Sequence, residues 1–256
     1  MKAVILAGGL GTRLSEETGL RPKPMVEIGG KPILWHVMKI YAAAGVTEFI
    51  VCVGYRGYLI KEYFANYFLH QSDITVDMGR RSVEYHATSA EPWRVTVVDT
   101  GENSNTAGRL KRVAQYLEGE ETFYFTYGDG VANVDVRAVH ARHRETGADV
   151  TVTAVRPPGR FGELRLDEQR LVSFEEKPTD GAWINGGFFV ASPRVLSEIA
   201  GDASSWEYEV LPALAQAGRV TAYLHRGFWQ PMDTLRDKMT LEDLWQAGRA
   251  PWKVWP

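Results

Sequence analysis

The 256-residue chain has an ordinary apolar fraction, 45%, and a formal net charge of -3, which argues against a disordered or collagen-like protein. The same balance argues against wholesale nucleic-acid binding, which needs a clearly basic face, though a local patch for phosphates stays open. The length suits one α/β domain with a sizeable core.

Ala3 to Leu6 is short, continuous and apolar, as a strand buried on both faces should be. A glycine-rich loop follows. Ile33, Val37, Ile40, Tyr41 and Ala44 then recur at helical spacing, with Gly45 as the stop. Glu48 to Val53 reads as a second strand and contains the single cysteine, Cys52. No disulfide framework exists, and a small buried strand residue is a better reading of Cys52 than a catalytic thiol.

Tyr58 to Phe68 reads as a helix rich in aromatics, and Ile74 to Val98 as strands. Leu110, Val113, Ala114 and Leu117 mark another helix. Phe123 to Tyr127 is a strand ending in Gly128-Asp129-Gly130, followed by a helix from Val136 to Arg144 and a strand from Val150 to Val155. After Pro157-Pro158-Gly159 the character turns to β, at Glu163 to Leu166, Leu171 to Glu175 and Ile184 to Val190. A helix from Trp206 to Ala217, capped by Ser204 or Ser205, and one from Leu235 to Gln246 close the series.

This alternation predicts an α/β fold: a mostly parallel, Rossmann-like sheet flanked by helices, with a smaller β-rich part. One domain, 1–256, is expected, with a nucleotide-binding part over about 1–130 and a sugar-binding, β-rich part over about 131–256. No apolar run reaches the ~20 residues of a membrane span. The amino terminus lacks a signal-peptide pattern, so a soluble cytoplasmic protein without membrane partners is expected.

Leu6-Ala7-Gly8-Gly9-Leu10-Gly11-Thr12-Arg13-Leu14 is the first chemical signal, with Pro22-Lys23-Pro24 further on. Glycines let backbone approach a ligand, and their amides can cradle phosphate oxygens. Arg13 and Lys23 can neutralise a triphosphate. A dinucleotide fingerprint would need a sixth-position glycine where Leu14 stands, and no Gly-Lys-Ser/Thr closes a P-loop.

Asp129 lies at the end of a strand, where open α/β sheets place ligand groups, and a carboxylate there suits Mg²⁺. Asp233, in Pro-Met-Asp-Thr before a helix, reads equally as a helix cap or a metal ligand. Glu175 and Glu176 read by themselves as a solvated edge. His140 and His143, one turn apart without a third ligand, read as surface histidines rather than a metal site.

Gly8-Gly9-Leu10-Gly11-Thr12-Arg13 with Pro22-Lys23-Pro24 resembles the signature of the sugar-1-phosphate nucleotidylyltransferases. Tyr127-Gly128-Asp129-Gly130-Val131, Phe174-Glu175-Glu176-Lys177-Pro178, Ile184-Asn185-Gly186-Gly187-Phe188-Phe189 and Phe228-Trp229-Gln230-Pro231-Met232-Asp233-Thr234 follow in that family's order. The resemblance spans essentially the whole chain and is strongest to the branch that uses CTP and glucose 1-phosphate.

What the resemblance implies is specific. Arg13, Lys23 and Asp129 are catalytic. Leu6, Ala7, Gly8, Gly9, Gly11, Thr12, Arg13, Lys23, Ser104, Arg109 and Gly128 bind the nucleotide. Glu176, Lys177, Asn185 and Gly186 bind the sugar phosphate. Asp129 and Asp233 bind Mg²⁺. The resemblance further implies a homo-oligomer, a hexamer among the forms expected. The family carries a glycine where this chain has Ala107, an added methyl in the nucleotide-binding segment.

A close alternative keeps the nucleotidyl transfer but uses another phosphorylated acceptor or UTP or dTTP, and two other classes compete. A glycosyltransferase consuming a nucleotide sugar would favour Asp-x-Asp at its metal, and Gly128-Asp129-Gly130 offers one carboxylate. A non-catalytic nucleotide sensor would be expected to lose a metal ligand or phosphate lysine, yet Lys23, Asp129, Lys177 and Asp233 are all present.

Overall fold

The computed structural model describes residues 1–11, 14, 19–157, 163–167, 170–175 and 182–256. In chain order the main elements are β1 (Ala3–Ala7), α1 (Ile33–Ala43), β2 (Glu48–Val53), α2 (Gly57–Ala65), β3 (Ser72–Asp77), β4 (Ser82–Thr88) and β5 (Arg94–Asp99). Next come α3 (Thr106–Arg112), β6 (Phe123–Tyr127), β7 (Gly130–Ala132), α4 (Val136–Thr146), β8 (Val150–Val155), β9 (Glu163–Asp167) and β10 (Arg170–Glu175). The chain closes with β11 (Ile184–Asn185), β12 (Phe189–Ala191), α5 (Leu211–Gln216), β13 (Val220–His225), β14 (Trp229–Pro231) and α6 (Leu235–Gln246).

Eight strands form the central sheet, ordered β13, β8, then β11 and β12, then β6, β1, β2 and β5. All neighbours pair in parallel except β11 and β12, which run antiparallel to β8; β12 is also antiparallel to β6. Strands assigned from sequence to both parts of the chain share this one sheet.

The period-two alternation of β1 divides the core. Ala3, Ile5 and Ala7 pack on one face with α1 and the chain end, while Val4 and Leu6 pack on the other with Ile50, Cys52, Leu110 and Trp206. Continuous apolar strands are therefore required, because each face carries helices.

Several boundaries depart from the sequence reading for local reasons. The aromatic helix breaks at Asn66 into α2 and a single turn, Tyr67–His70. The strand read across Ile184 to Val190 is split, because Gly187 and Phe188 take positive φ of 75° and 48° and bend the chain between β11 and β12. The helix expected from Trp206 begins as a π-helical turn, Trp206–Val210, before α5. Strands β7, β13 and β14 are short or half-exposed and had no clear alternation to announce them.

His143 is not a surface residue: it is buried, with Nδ1 at 3.0 Å from Thr151 Oγ1, and burial lowers its pKa. Trp252 and Trp255 at the chain end pack against Trp35 and His36 of α1. Cys52 is fully buried, its thiol pushed up to about 12 by burial. No helix among the described residues is long and apolar enough to cross a membrane.

Candidate active site

The chain runs β1, β2, β5 outward on one side of β1 and then returns to place β6 on the other side. A crevice opens at such a reversal, beyond the carboxyl ends of the strands. Its two lips are the glycine loop after β1 and the Gly128-Asp129 turn after β6. Leu6 and Tyr127 are register partners, and the Gly128 amide donates to the Leu6 carbonyl at 3.0 Å, so the lips lie side by side.

A cavity of about 510 Å³ occupies this crevice. Leu6, Ala7, Gly8, Gly9, Gly11, Lys23, Ser104, Arg109, Gly128, Asp129, Asn185, Gly186 and Asp233 all line it. Thr12, Arg13, Glu176 and Lys177 lie outside the described residues. Residues spread over more than two hundred positions of sequence are thus brought to one space.

Asp233 reaches the cavity through a small ladder. Its preceding strand β14 pairs with β7, Pro231 opposite Gly130, and the Met232 amide donates to the Asp129 carbonyl at 2.8 Å. The helix cap is supplied by Thr234, whose side chain accepts from the Asp237 amide while the Asp237 carboxylate receives the Asp233 and Thr234 amides. Capping therefore does not occupy the Asp233 carboxylate. It accepts instead from Lys23 Nζ at 2.6 Å, and Asp129 accepts from the same nitrogen at 2.7 Å. Burial works to lower the Lys23 pKa, but Asp129 and Asp233 outweigh it and hold the ammonium above its ordinary value. Lys23 is thus a buried, permanently charged cation in a short helical turn, Lys23–Met25.

Arg109 does something other than project freely from its helix. It is 5% exposed, and its guanidinium lies beneath the glycine loop. Nη2 donates to the carbonyls of Gly8 and Glu102, at 3.0 and 3.1 Å; Nη1 donates to Thr100 Oγ1 and the Gly101 carbonyl, both at 2.8 Å. A Cβ on Gly8 would lie 2.1 Å from Nη1, which is why glycine is needed there. The Ala107 methyl is fully buried in the adjoining helix and is accommodated.

The cavity lining also includes Tyr127, Glu207, Thr106 and Trp229, to which the sequence assigns no role. Tyr127 donates to Glu207 Oε1 at 2.6 Å, and Thr106 donates to Glu207 Oε2 at 2.6 Å. Burial, then Glu207, raises the Tyr127 pKa, so the phenol stays protonated. The Trp229 indole donates to the Gly186 carbonyl at 2.8 Å. Tyr127 stands in the motif beside Asp129; Glu207 stands at the start of an amphipathic helix and carries no chemical signature.

A parallel α/β sheet, a reversal crevice lined by glycines and a lysine held by two carboxylates define a class of enzyme that handles phosphorylated nucleotides. Residues 2–249 match the family described as nucleotidyl transferase, and the chain belongs to it. It is 61% identical over 256 residues to a glucose-1-phosphate cytidylyltransferase of Salmonella typhi, covering 100% of both chains. It is 43% identical over 256 residues to a probable glucose-1-phosphate cytidylyltransferase of Bacillus subtilis, again covering 100% of both. Among solved structures, HddC from Yersinia pseudotuberculosis aligns with a TM-score of 0.70 at 25% identity, over 95% of this chain and 99% of that chain. The inositol-1-phosphate CTP transferase of T. maritima shares the fold, with a TM-score of 0.68 at 19% identity over 100% of this chain and 98% of that one.

Proposed function

We propose that the protein transfers a cytidylyl group from CTP to α-D-glucose 1-phosphate, forming CDP-glucose and pyrophosphate. The observation that carries the chemistry is the meeting of Lys23, Asp129 and Asp233 in the wall of a glycine-lined cavity. The choice of cytosine and glucose rests on the two full-length relatives named above.

A sugar phosphate oxygen is already an anion, so no base is needed to activate it. It forms a bond to the α-phosphorus in line as the α–β phosphate bond breaks, and pyrophosphate leaves with the bonding electrons. Positioning and charge neutralisation supply the catalysis. The glycine loop offers backbone amides at the phosphates, Ser104 and Arg109 belong to the nucleotide side, and Lys23 sets a fixed positive charge beside the reacting phosphates. Asn185 and Gly186 face the acceptor. Arg13, Glu176 and Lys177 are assigned to the same roles as in the resembling family.

The chain's residues fit Mg²⁺. Two carboxylates from distant segments converge on one cation, and oxygen donors of this kind are what Mg²⁺ takes. Two protein carboxylates suffice for an ion that keeps several waters and binds substrate phosphates. When bound, the ion neutralises phosphate charge. Asp129 and Asp233 would hold it, and Lys23, which both carboxylates now contact, offsets their mutual repulsion.

A homo-oligomer is the working form. Supporting it, β3 and β4 make a two-stranded hairpin whose Ile74, Val76, Val83 and Tyr85 share one exposed apolar face. Such a hairpin is marginal in water without cover. Light scattering of the purified protein checks this, and a monomer at micromolar concentration would reject it. A reducing cytoplasmic setting agrees with the single buried cysteine.

The decisive experiment is pyrophosphate release across a matrix of nucleoside triphosphates and sugar 1-phosphates. A site built around the cytosine edge leaves polar groups unpaired with uracil, at about 1–3 kcal/mol each, roughly a tenfold to hundredfold preference. A kcat/KM for UTP or dTTP equal to that for CTP would reject the base assignment and leave nucleotidyl transfer standing.

A further inference from the structure

Tyr127, Glu207 and Asn185 form a hydrogen-bonded chain whose direction can be deduced. The Gly187 amide can only donate, and it meets Asn185 Oδ1 at 2.9 Å. The Asn185 amide is thereby oriented, with Nδ2 toward the Tyr127 hydroxyl at 3.1 Å. The hydroxyl oxygen accepts there, so its proton goes to Glu207 Oε1, an acceptor-only carboxylate, at 2.6 Å. Glu207 Oε2 is fixed in turn by Thr106 Oγ1 at 2.6 Å and Ser205 Oγ at 3.1 Å.

The backbone supplies a second observation. Glu207 lies in a π-helical turn, in which the Val210 amide reaches back to the Ser205 carbonyl at 3.2 Å. Such turns are rare and concentrate at functional sites, where they re-aim a side chain. Here the wide turn sits at the cavity wall and aims Glu207 at Tyr127 rather than at solvent.

We propose that Glu207 is a positioning and specificity-determining residue for the acceptor: through Tyr127 it locks Asn185 with an amide N–H turned to the cavity, which selects a correctly placed hydroxyl of a sugar 1-phosphate. The inference rests on the cytidylyl-transfer reading above. It assigns to the acceptor wall a residue that contacts neither phosphate nor metal. Without Glu207 the Tyr127 proton has no fixed acceptor, and the Gly187 amide alone holds the Asn185 side chain, on its Oδ1 side only. Discrimination between acceptors should then fall.

The test is steady-state kinetics of Tyr127→Phe and Glu207→Gln, with CTP, glucose 1-phosphate and its monodeoxy analogues. Tyr127→Phe should raise the KM for glucose 1-phosphate about threefold to tenfold, as far as loss of the Asn185 contact itself, leaving the KM for CTP unchanged. Glu207→Gln, which offers both a donor and an acceptor, should act in the same direction more weakly. At least one monodeoxy analogue should show no penalty in the variants, because it lacks the hydroxyl being read. An unchanged KM for glucose 1-phosphate in both variants, a raised KM for CTP, or an equal penalty for every analogue would overturn the proposal. Wild-type turnover of CTP with glucose 1-phosphate controls for the reading itself. If that fails, the reading falls, and the same variants are assayed with deoxy analogues of whichever sugar 1-phosphate the enzyme consumes.

Discussion

The two walls of the cavity are built in different ways. The wall after β1 presents backbone, and a buried guanidinium fixes it: Arg109 ties Gly8, Thr100, Gly101 and Glu102 together from beneath. The wall made by β6, β11 and the π-turn presents side chains, joined through Tyr127, Glu207 and Asn185. Backbone cannot be altered without moving the chain, so binding and stability on the first wall should fall together. Side chains on the second wall can change while the fold persists. That suits a universal triphosphate on one side and a particular acceptor on the other.

The largest effect belongs where the walls meet. Asp129→Asn and Asp233→Asn should each lower kcat by roughly 10²–10³, the range for losing one preorganised electrostatic group. Circular dichroism should show the fold retained. Near-normal turnover of both variants at low Mg²⁺ would break the assignment. Lys23→Ala should likewise act chiefly on kcat, because in the proposed reaction its charge would face phosphates that reorganise in the transition state. Lys177→Ala should act more on the KM for the sugar phosphate.

Next is the backbone wall. Arg109→Ala removes the donor from several carbonyls at about 1–3 kcal/mol each, and water entry recovers part of that, so a net loss of about 3 kcal/mol is expected. Urea unfolding measures it. The KM for CTP should rise in parallel; a variant that loses CTP binding at full stability would show that Arg109 acts on the nucleotide alone. Gly8→Ala should act in the same direction, since the new methyl displaces the guanidinium.

A control lies away from both walls. His36 is fully buried, donating from Nε2 to the Ile28 carbonyl and accepting from the Trp252 indole at Nδ1. Burial depresses its pKa from 6.5 to about 4. The unfolded chain therefore takes up the proton first as pH falls. Stability is full above pH ~6.5 and declines toward pH ~4, by about 2 kcal/mol between pH 7 and pH 5. Urea midpoints at the two pH values test this, and His36→Phe should flatten the difference. Activity losses that track this decline are global, while losses at constant stability belong to the site.

The smaller effects come from the acceptor wall and the core. Asn185→Ala should raise the KM for the sugar phosphate about threefold to tenfold, consistent with a net hydrogen bond, without changing the urea midpoint. Cys52 should not react with thiol reagents in the native state, because its thiol is buried and raised to about 12. Fast modification of folded enzyme would show that the β2 face opens.

The sequence by itself determined the parallel sheet, because strands buried on both faces must be continuously apolar, as Ala3 to Leu6 and Phe49 to Val53 are. It also supplied the chemical vocabulary of one wall, through the family signature carried by the glycine loop and Pro22-Lys23-Pro24. Only the tertiary structure decided which groups meet. Lys23, Asp129 and Asp233 are joined by sheet order and by the β7–β14 ladder, neither of which local pattern encodes. That Thr234 rather than Asp233 caps α6 depended on the chain's direction at its first turn. Arg109 reads as one cation on an amphipathic helix; its role under Gly8 comes from loops 45 or more residues away in sequence from that glycine, which pairing of β1, β2 and β5 brings together. Glu207 was invisible for a related reason: a carboxylate near a helix start looks like any favourable first-turn charge, and only the π-turn and the packed Tyr127 turn it into the cavity wall.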